Sequence, residues 1–424
     1  MIIRNFQSLS TNSAKKDALD IMKMGLMAAD PGLYLKKIIK NKYLVLPHEK
    51  INLRKYEKIL VVSVGKASYL MARAVDSFVC VDSGIIISPT KINVREKKFR
   101  VITAGHPFPN KNSIVAAKSI VKYLGTATNN DLVLFLISGG SSSLVSMPDG
   151  ITLGEKQKTT KLLLQSGASI QEINCVRKHL SKVKGGKLLE SLESNAVSLV
   201  MSDVVGDDLS SIASGMTYCD FTSFSDAKNI LIKYHLDRLV PKNVLHHIDL
   251  GIKGKIAETP KMVKIPNVVI TSNTDCLVAM KSRAQKLGYT VKVVKNISSN
   301  VVDLSMRMSK MTLRKKYCII FGGESTVVVK GKGKGGRNQE LVLRISHNLS
   351  KQSKNSVVAS LGTDGIDGNT SYAGAIWQSD QSMNNVSKYL DDNNSHDFFK
   401  KYGGLIFTGY TGTNLLDIGV VLTK

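Results

Sequence analysis

CIIFGGESTVVVKGKGKGGR, residues 318–337 of a 424-residue chain, carries most of the information about architecture. Its first half predicts an apolar strand, a Gly-Gly-Glu turn ending at Glu324 and a second, β-branched strand. Its second half is a loop holding Gly331, Gly333, Gly335 and Gly336, with Gly323 in the upstream turn and Lys332, Lys334 and Arg337 set among the glycines. Asn338 and Gln339 then open the helical run ELVLRISHNL. Glycines let backbone amides approach an anion closely, and a helix start behind them adds a favourable dipole. Cations among them favour a polyphosphate over a neutral ligand. Gly331, Gly333 and Gly336 also match G-x-G-x-x-G, a weak signal by itself. A dinucleotide site asks for an acid about 20 residues on, whereas the next acid at a strand end, Asp364, comes later. The plainer alternative is a solvated, lysine-rich surface hairpin.

Working outward, the length implies two domains. A hydrophobic content of 43% with 22% charged residues is that of a soluble globular protein. The apolar runs, such as Leu132–Ile137, are far too short to span a bilayer. The N-terminal segment has no apolar stretch followed by a small-residue cleavage site, so no secretory signal is expected. The five cysteines are scattered, with no C-x-x-C pair, which argues for a reducing cytoplasm and against structural zinc or a disulfide frame. The outlier is charge: 59 Lys and Arg against 33 Asp and Glu give +26. The cations are spread along the chain without an aromatic-interleaved stripe. They read as a positive field for small anions ahead of a nucleic-acid surface.

In chain order, residues 14–41 have helical periodicity broken near Pro31, with Met22, Met24 and Met27 as core fillers. Ile59–Val64 predicts a buried strand, Gly65 its turn, and Lys66 a cation where that strand meets a helix. That junction is where α/β sheets bind ligands. An ordinary helix-start lysine is the alternative. His106, in AGHPFPN after the strand Val101–Thr103, is a candidate for a substrate loop. Leu132–Ile137 is a wholly apolar strand running into Ser138, Gly139, Gly140, Ser141, Ser142 and Ser143, a natural nest for a carboxylate or phosphate. In INCVRKHLSKVKGGKLLESL, read as helical, Arg177 and Lys184 stand seven apart and so share a face. A solvated basic helix is the competing reading. Asp203, Asp207 and Asp208 cluster after the strand Val197–Met201 and suit a divalent cation or a base, with one of them expected to cap a helix.

Residues 220–265 read as a connecting region. The expected division is therefore 1–245 and 262–424, with the second pattern restarting at the strand Asn267–Thr271 and running through helices Asp275–Leu287 and Val301–Lys315. Strands alternating with helices, and chemistry gathered at strand ends, predict an α/β protein of two domains, each a largely parallel or mixed sheet flanked by helices.

Together VGKAS, AGHPFPN, LISGGSSSL, INCVRKHLSKVKGGKL, SDVVGDDLSSIASGMT, GGESTVVVKGKGKGGRNQE, GTDGIDGNTSYAGA and TGYTGTNLLD resemble the class II glycerate kinases, the glycerate 2-kinase family with a C-terminal MOFRL domain. The resemblance covers nearly the whole chain. It implies transfer of the γ-phosphate of ATP to the 2-hydroxyl of D-glycerate, with Mg2+ or another divalent cation, in a cleft between two α/β domains. It implies that Lys66 and Arg337 are catalytic cations and makes Asp203 a candidate for hydroxyl activation and Asp207 and Asp364 candidates for metal binding. Ser138, Gly139, Gly140 and Ser141, with His106 and Arg177, would hold anionic groups; Glu324, Lys334 and Asn338 would line the nucleotide side. Expected partners are D-glycerate and ATP, with no nucleic acid or membrane, and a homodimer as the candidate assembly. SGGSSSLV stands where the family often reads SGGGSALL, and SGMT where it reads SGPT. A kinase of a related hydroxy acid, a nicotinamide-dependent oxidoreductase and a polyanion-binding protein are the alternative functions.

Overall fold

Six consecutive apolar residues, Leu132–Ile137, are all buried, as are all six of Ile59–Val64. A strand buried on both faces needs helices on both sides, and parallel sheets supply them through their crossover connections. Each such side chain contributes about 2 kcal/mol of burial, which outweighs any local preference for exposure. A computed structural model describes residues 2–311, 315–352, 355–381 and 384–423. In it these two strands lie side by side at the centre of a six-stranded sheet. The chain begins in the middle at Ile59–Val64 and winds outward through Ser83–Ser88 to Phe99–Thr103. It then returns to the other side through Leu132–Ile137, Asn195–Met201 and Asn267–Thr271. The pairs among the first five of these strands are parallel. This is a doubly wound order, and its winding reverses between Ile59–Val64 and Leu132–Ile137. A small antiparallel sheet of Ile39–Lys40, Tyr43–Val45 and Lys50–Asn52 precedes it.

The second sheet is mixed, in the order Thr290–Ile297, Tyr317–Gly323, Asp417–Thr423, Val357–Gly362, Gly374–Gln378 and Leu405–Ile406. Its first pair is parallel and the others antiparallel. The second, β-branched strand expected after Gly323 does not form. Tyr317–Gly323 is already paired on both sides, by Thr290–Ile297 and by Asp417–Thr423, so no edge is left for a hairpin partner. Only a single bridge, Thr326 to Asn300, remains of it.

The chain divides into two units that differ from the expected 1–245 and 262–424. Pro31–Ile270 forms one; the segment up to Asp30 joins Thr271 onward in the other. The N-terminal helix Ser13–Ala28 belongs with the mixed sheet because its buried face lies on the helix Asn273–Lys286. Gly25 sits where an added Cβ would come 2.8 Å from both Ile418 and Met280. Asp20 pairs with Arg283, and Tyr289 donates to Asp17 at 2.7 Å. Residues 220–265 are no linker: Phe224, Leu231, Val244 and Ile248, from helices Phe224–Lys233 and Lys242–Ile252, share an apolar cluster with Leu163, Ile173 and Val176. Asn267–Thr271 is an edge strand of the first sheet, not the start of the second pattern. The helix expected over Val301–Lys315 spans Val301–Lys310, and residues 312–314 of that expectation lie outside the described residues.

The glycine loop 331–336 runs into the helix Arg337–Ser350, whose first amides are capped by Asp367. This carboxylate, 2% exposed, accepts from the amides of Asn338 at 3.0 Å and Gln339 at 2.9 Å and from Asn338 Nδ2 at 3.2 Å. Burial pushes the pKa of this carboxyl upward, opposed by those donors and by Arg337. Asp367→Ala is expected to lower the stability of the mixed-sheet unit by roughly 2 kcal/mol, from a lost cap and orphaned buried donors. Urea unfolding followed at Trp377, which lies in that unit, measures it.

Candidate functional site

In open α/β sheets ligands bind outside the carboxyl ends of the strands, where the winding reverses. In this sheet that place is formed by Gly65–Lys66 after one central strand and Ser138–Ser142 after the other. The two strand ends are pinned together. Ser138 Oγ accepts from the Ala67 amide at 3.0 Å, and the Lys66 amide donates to Gly139 O at 2.9 Å. Ser141 Oγ lies 2.9 Å from Val64 O and 2.6 Å from Ser138 O. Gly65 has φ +124°, and a Cβ there would fall 2.2 Å from Ser138 Oγ. Ser138 and Ser141 are each 1% exposed, so their hydroxyls build the turn instead of facing a ligand. What the turn presents is backbone: among the described residues the amides of Gly139, Gly140, Ser141 and Ser142 have no protein acceptor. Adjacent free amides form an anion nest. Gly140, at φ +85°, passes under His106: a Cβ would lie 2.8 Å from the ring Cδ2 and 3.7 Å from Lys66 Cγ. Lys66, His106, Gly139 and Gly140 are thus brought together.

Three further residues complete this wall. Ser142 Oγ lies 2.9 Å from Ser214 Oγ, which donates to Asn174 Oδ1 at 3.0 Å. Asn174 stands one turn before Arg177 on the helix Ile170–His179. Ala213 and Ser214 hold positive φ of 55° and 54°, a costly backbone for non-glycine residues that clusters at functional sites. The helical reading of this stretch holds only to His179. Lys184 lies beyond the helix, so it does not share a helix face with Arg177. It is instead folded back, with Nζ 3.1 Å from Ala213 O and 3.5 Å from Ser141 O. Spacing of Asn174 and Arg177 on one helix was a readable signal; Ser142 and Ser214 meet only through the fold.

Asp203 and Asp207 follow the strand Asn195–Met201 and are half-buried, with Asp207 at φ 58°. Asp208 does not cap a helix as expected: it closes its own loop, accepting from the Ser210 amide and from the hydroxyls of Ser210 and Ser211, and the following short turn Ile212–Ser214 opens on Ser211 without a side-chain cap. No group of three or more His, Cys, Asp or Glu among the described residues is placed to hold a metal. Mg2+ ordinarily keeps several waters and is held by one or two carboxylates together with phosphate oxygens.

In the mixed-sheet unit the glycine loop is not the anion cradle its composition suggests. Asn393 Oδ1 accepts from the amides of Lys330 and Gly331, Asp392 takes those of Lys332 and Gly333, and Asn394 and Asn369 take those of Lys334 and Gly335. Added Cβ atoms at Gly331 and Gly333 would strike Asp392 and Asn394, so these glycines serve close approach of the chain to itself. Lys334 is exposed. Asn338 is 1% exposed, its amide committed to Asp367 and Ser360. Arg337 is held by Asp417, through Nε at 2.6 Å and NH2 at 3.1 Å, and by Glu324 through NH1 at 2.5 Å. Burial lowers the guanidinium pKa, but Asp417 and then Glu324 outweigh it and leave it above its ordinary value. Burial pushes the Asp417 carboxyl up, to about 6, against the pull of Arg337. Asp417 went unrecognised in the sequence, although an acid opening the wholly buried strand Asp417–Thr423 was the visible sign. Asp364, half-buried, accepts from the Ile366 amide.

Gly140→Ala would force a Cβ into the His106 ring and an alanine into left-handed backbone, a cost of about 1–2 kcal/mol per residue. The expected outcome is a lowered melting temperature with displaced His106 imidazole resonances by NMR, while Gly167→Ala, with open space around its Cβ, leaves those resonances in place.

Residues 17–249 match a family described as a domain of unknown function (DUF4147), and residues 317–417 match the MOFRL family. A glycerate 2-kinase of Pyrococcus horikoshii is 39% identical over 387 residues, covering 86% of this chain and 87% of its own. A D-glycerate 2-kinase of Thermotoga maritima is 35% identical, covering 96% and 97%. The crystal structure of a Thermotoga maritima glycerate kinase superposes with a TM-score of 0.83 at 33% identity, over 96% of this chain and 99% of that one. With two α/β units and this likeness along nearly its whole length, the chain belongs to the class II glycerate kinases, the glycerate 2-kinase family that carries a MOFRL domain.

Proposed function

We propose that this protein is a glycerate 2-kinase, transferring the γ-phosphoryl group of ATP to the 2-hydroxyl of D-glycerate to give 2-phosphoglycerate and ADP. The observation that carries the reading is the crevice where the winding of the parallel sheet reverses. There a lysine, a histidine and four unpartnered amides gather at two strand ends. Phosphoryl transfer asks the protein for positioning and for neutralisation of charge on the migrating oxygens, and little covalent chemistry. The Gly139–Ser142 amides suit an oxyanion, and Lys66 supplies a positive charge beside them. In the mixed-sheet unit Arg337 supplies a planar, always charged donor. Its orientation is fixed from behind by the buried Asp417, while the exposed Glu324 is the partner it can exchange for a phosphoryl oxygen. Asp203 is the proposed acceptor of the substrate hydroxyl proton. Asp207 in the first unit and, separately, Asp364 in the mixed-sheet unit are the proposed candidates for contact with a divalent cation carried in by the nucleotide. Five free cysteines, four of them buried, suit the cytoplasm, and no helix among the described residues is long and apolar enough to cross a membrane.

A kinase of a related hydroxy acid would use the same crevice. A nicotinamide cofactor on the loop 331–336 would need amides that Asp392, Asn393, Asn394 and Asn369 already occupy. A polyanion-binding role rests on net charge alone.

An assay with D-glycerate, ATP and Mg2+, coupled through enolase, tests the reaction and its regiochemistry, because enolase accepts 2-phosphoglycerate and not the 3-isomer. Lys66→Ala and Arg337→Ala are each expected to lower kcat by about a hundred- to a thousandfold, with circular dichroism unchanged. Wild-type turnover in both variants overturns the assignment of roles.

Asp417 yields a separate expectation. Its raised carboxyl takes up a proton as the pH falls through about 6, releasing Arg337. Turnover is expected to decline on that acid side. Asp417→Asn is expected to flatten the limb and to lower kcat more than it raises KM, the mark of a lost transition-state contact.

A further inference from the structure

Buried cations are ordinarily matched by acids. In the first unit several obey this rule. Lys178 pairs with Asp220 at 3.2 Å. Lys187 is acted on by Asp149, Glu190, Glu258 and Asp220. Lys184 does not obey it. It is 2% exposed, its contacts are two main-chain carbonyls, and the charges acting on it are Arg177 and Lys156, both positive. Lys156 is 6% exposed and bonds to Leu180 O at 3.1 Å; Arg177, Lys187 and, in opposition, Asp149 act on it. Arg177 is half-buried and makes no hydrogen bond or ion pair with another described residue. Three cations therefore share a low-dielectric volume with a single acid at their margin.

We propose that Arg177, Lys184 and Lys156 form the binding site for the carboxylate of the acid substrate. This rests on the kinase reading above and names which end of the substrate the cluster takes. A guanidinium with free donors matches a carboxylate through two parallel hydrogen bonds. Lys184 spends two of its three donors on Ala213 O and Ser141 O, leaving one, and so ties the cluster to the turn that carries the free amides. Asn174, one helical turn from Arg177, leads through Ser214 to Ser142, placing amide and hydroxyl groups beside the cation as a 2-hydroxy acid requires. The amides of Gly139–Ser142 remain for the phosphoryl group.

The cluster has a measurable consequence. Burial, then the neighbouring cations, lowers Lys156 to about 7 and Lys184 well below its ordinary value, and burial lowers Arg177 to about 10. A bound anion favours the charged forms again and raises these values. Binding at pH 8 must then draw protons from solvent, and affinity must fall as the pH rises.

The test is calorimetric titration of the intact protein, without turnover, at pH 8 in two buffers of different ionisation enthalpy. D-Glycerate is titrated into protein saturated with ADP, and ADP alone is titrated into free protein. The expected result is uptake of about one proton on glycerate binding and none on ADP binding, with glycerate Kd rising about tenfold per pH unit near pH 8. Lys184→Met is expected to abolish the uptake and weaken glycerate at least tenfold. Lys156→Met reports the same loss should the first variant fail to fold. Glycerate binding without proton uptake overturns the proposal and leaves the kinase reading standing. Uptake with ADP and none with glycerate assigns the cluster to phosphate and also overturns it. Absence of glycerate binding in any form overturns the kinase reading itself.

Discussion

The ends of two neighbouring parallel strands are held so close that Gly65 has no room for a side chain beside the Ser138 hydroxyl. That closeness is the constraint on which the first unit's chemistry depends. Ser138 and Ser141 spend their hydroxyls on Val64 and on the start of the next helix, and by doing so turn the following amides outward. The doubly wound order sends the neighbouring crossovers in opposite directions, leaving a crevice above this point. Lys66 and His106 reach it because each follows a strand of the same sheet. The serines therefore act through geometry, and the ligand-facing groups are the amides and cations they position.

Two glycine-rich turns in one chain show how little composition says about anion binding. In both, glycine permits close backbone approach. Around Gly331–Gly336 the approaching group is the protein itself: Asp392, Asn393, Asn394 and Asn369 satisfy the amides, and Asp367 caps the helix that follows. Around Gly139–Ser142 no such segment arrives. Every buried amide needs an acceptor, so whichever turn the fold leaves without one keeps its capacity for a ligand. The lysines of the loop 331–336 face solvent, while the cations with consequence for binding, Arg177 and Lys184, sit in a stretch that reads as an ordinary basic helix.

The same contrast governs charge. The excess of +26 is a property of the surface and decides little about chemistry. What matters is which cations are withdrawn from water and what faces them. Arg337 is answered by Asp417 and Glu324, which fixes its orientation. Lys178 is answered by Asp220. Lys184 is answered by nothing acidic, and that asymmetry separates a cation serving the fold from one kept for a ligand.

Much was determined locally. The buried strands Ile59–Val64 and Leu132–Ile137 are legible because short, almost wholly apolar runs leading into glycine turns admit few other conformations, and Asn267–Thr271 is legible from its β-branched Val-Val-Ile run after Pro266. Lys66, Arg337 and the serine turn are legible as chemistry because their residue types recur in an ordered set of motifs. Tertiary structure alone decided the rest. It placed the first thirty residues with the last hundred and fifty, since Asp17 and Asp20 find Tyr289 and Arg283 across more than 250 positions. It removed the expected strand after Gly323 by pairing both edges of Tyr317–Gly323. It gave Asp417 to Arg337 and Ser214 to Asn174. Hydrogen-bond satisfaction and charge pairing are properties of what arrives from elsewhere in the chain. A linear sequence names the donors and acceptors, and only the fold assigns them to one another.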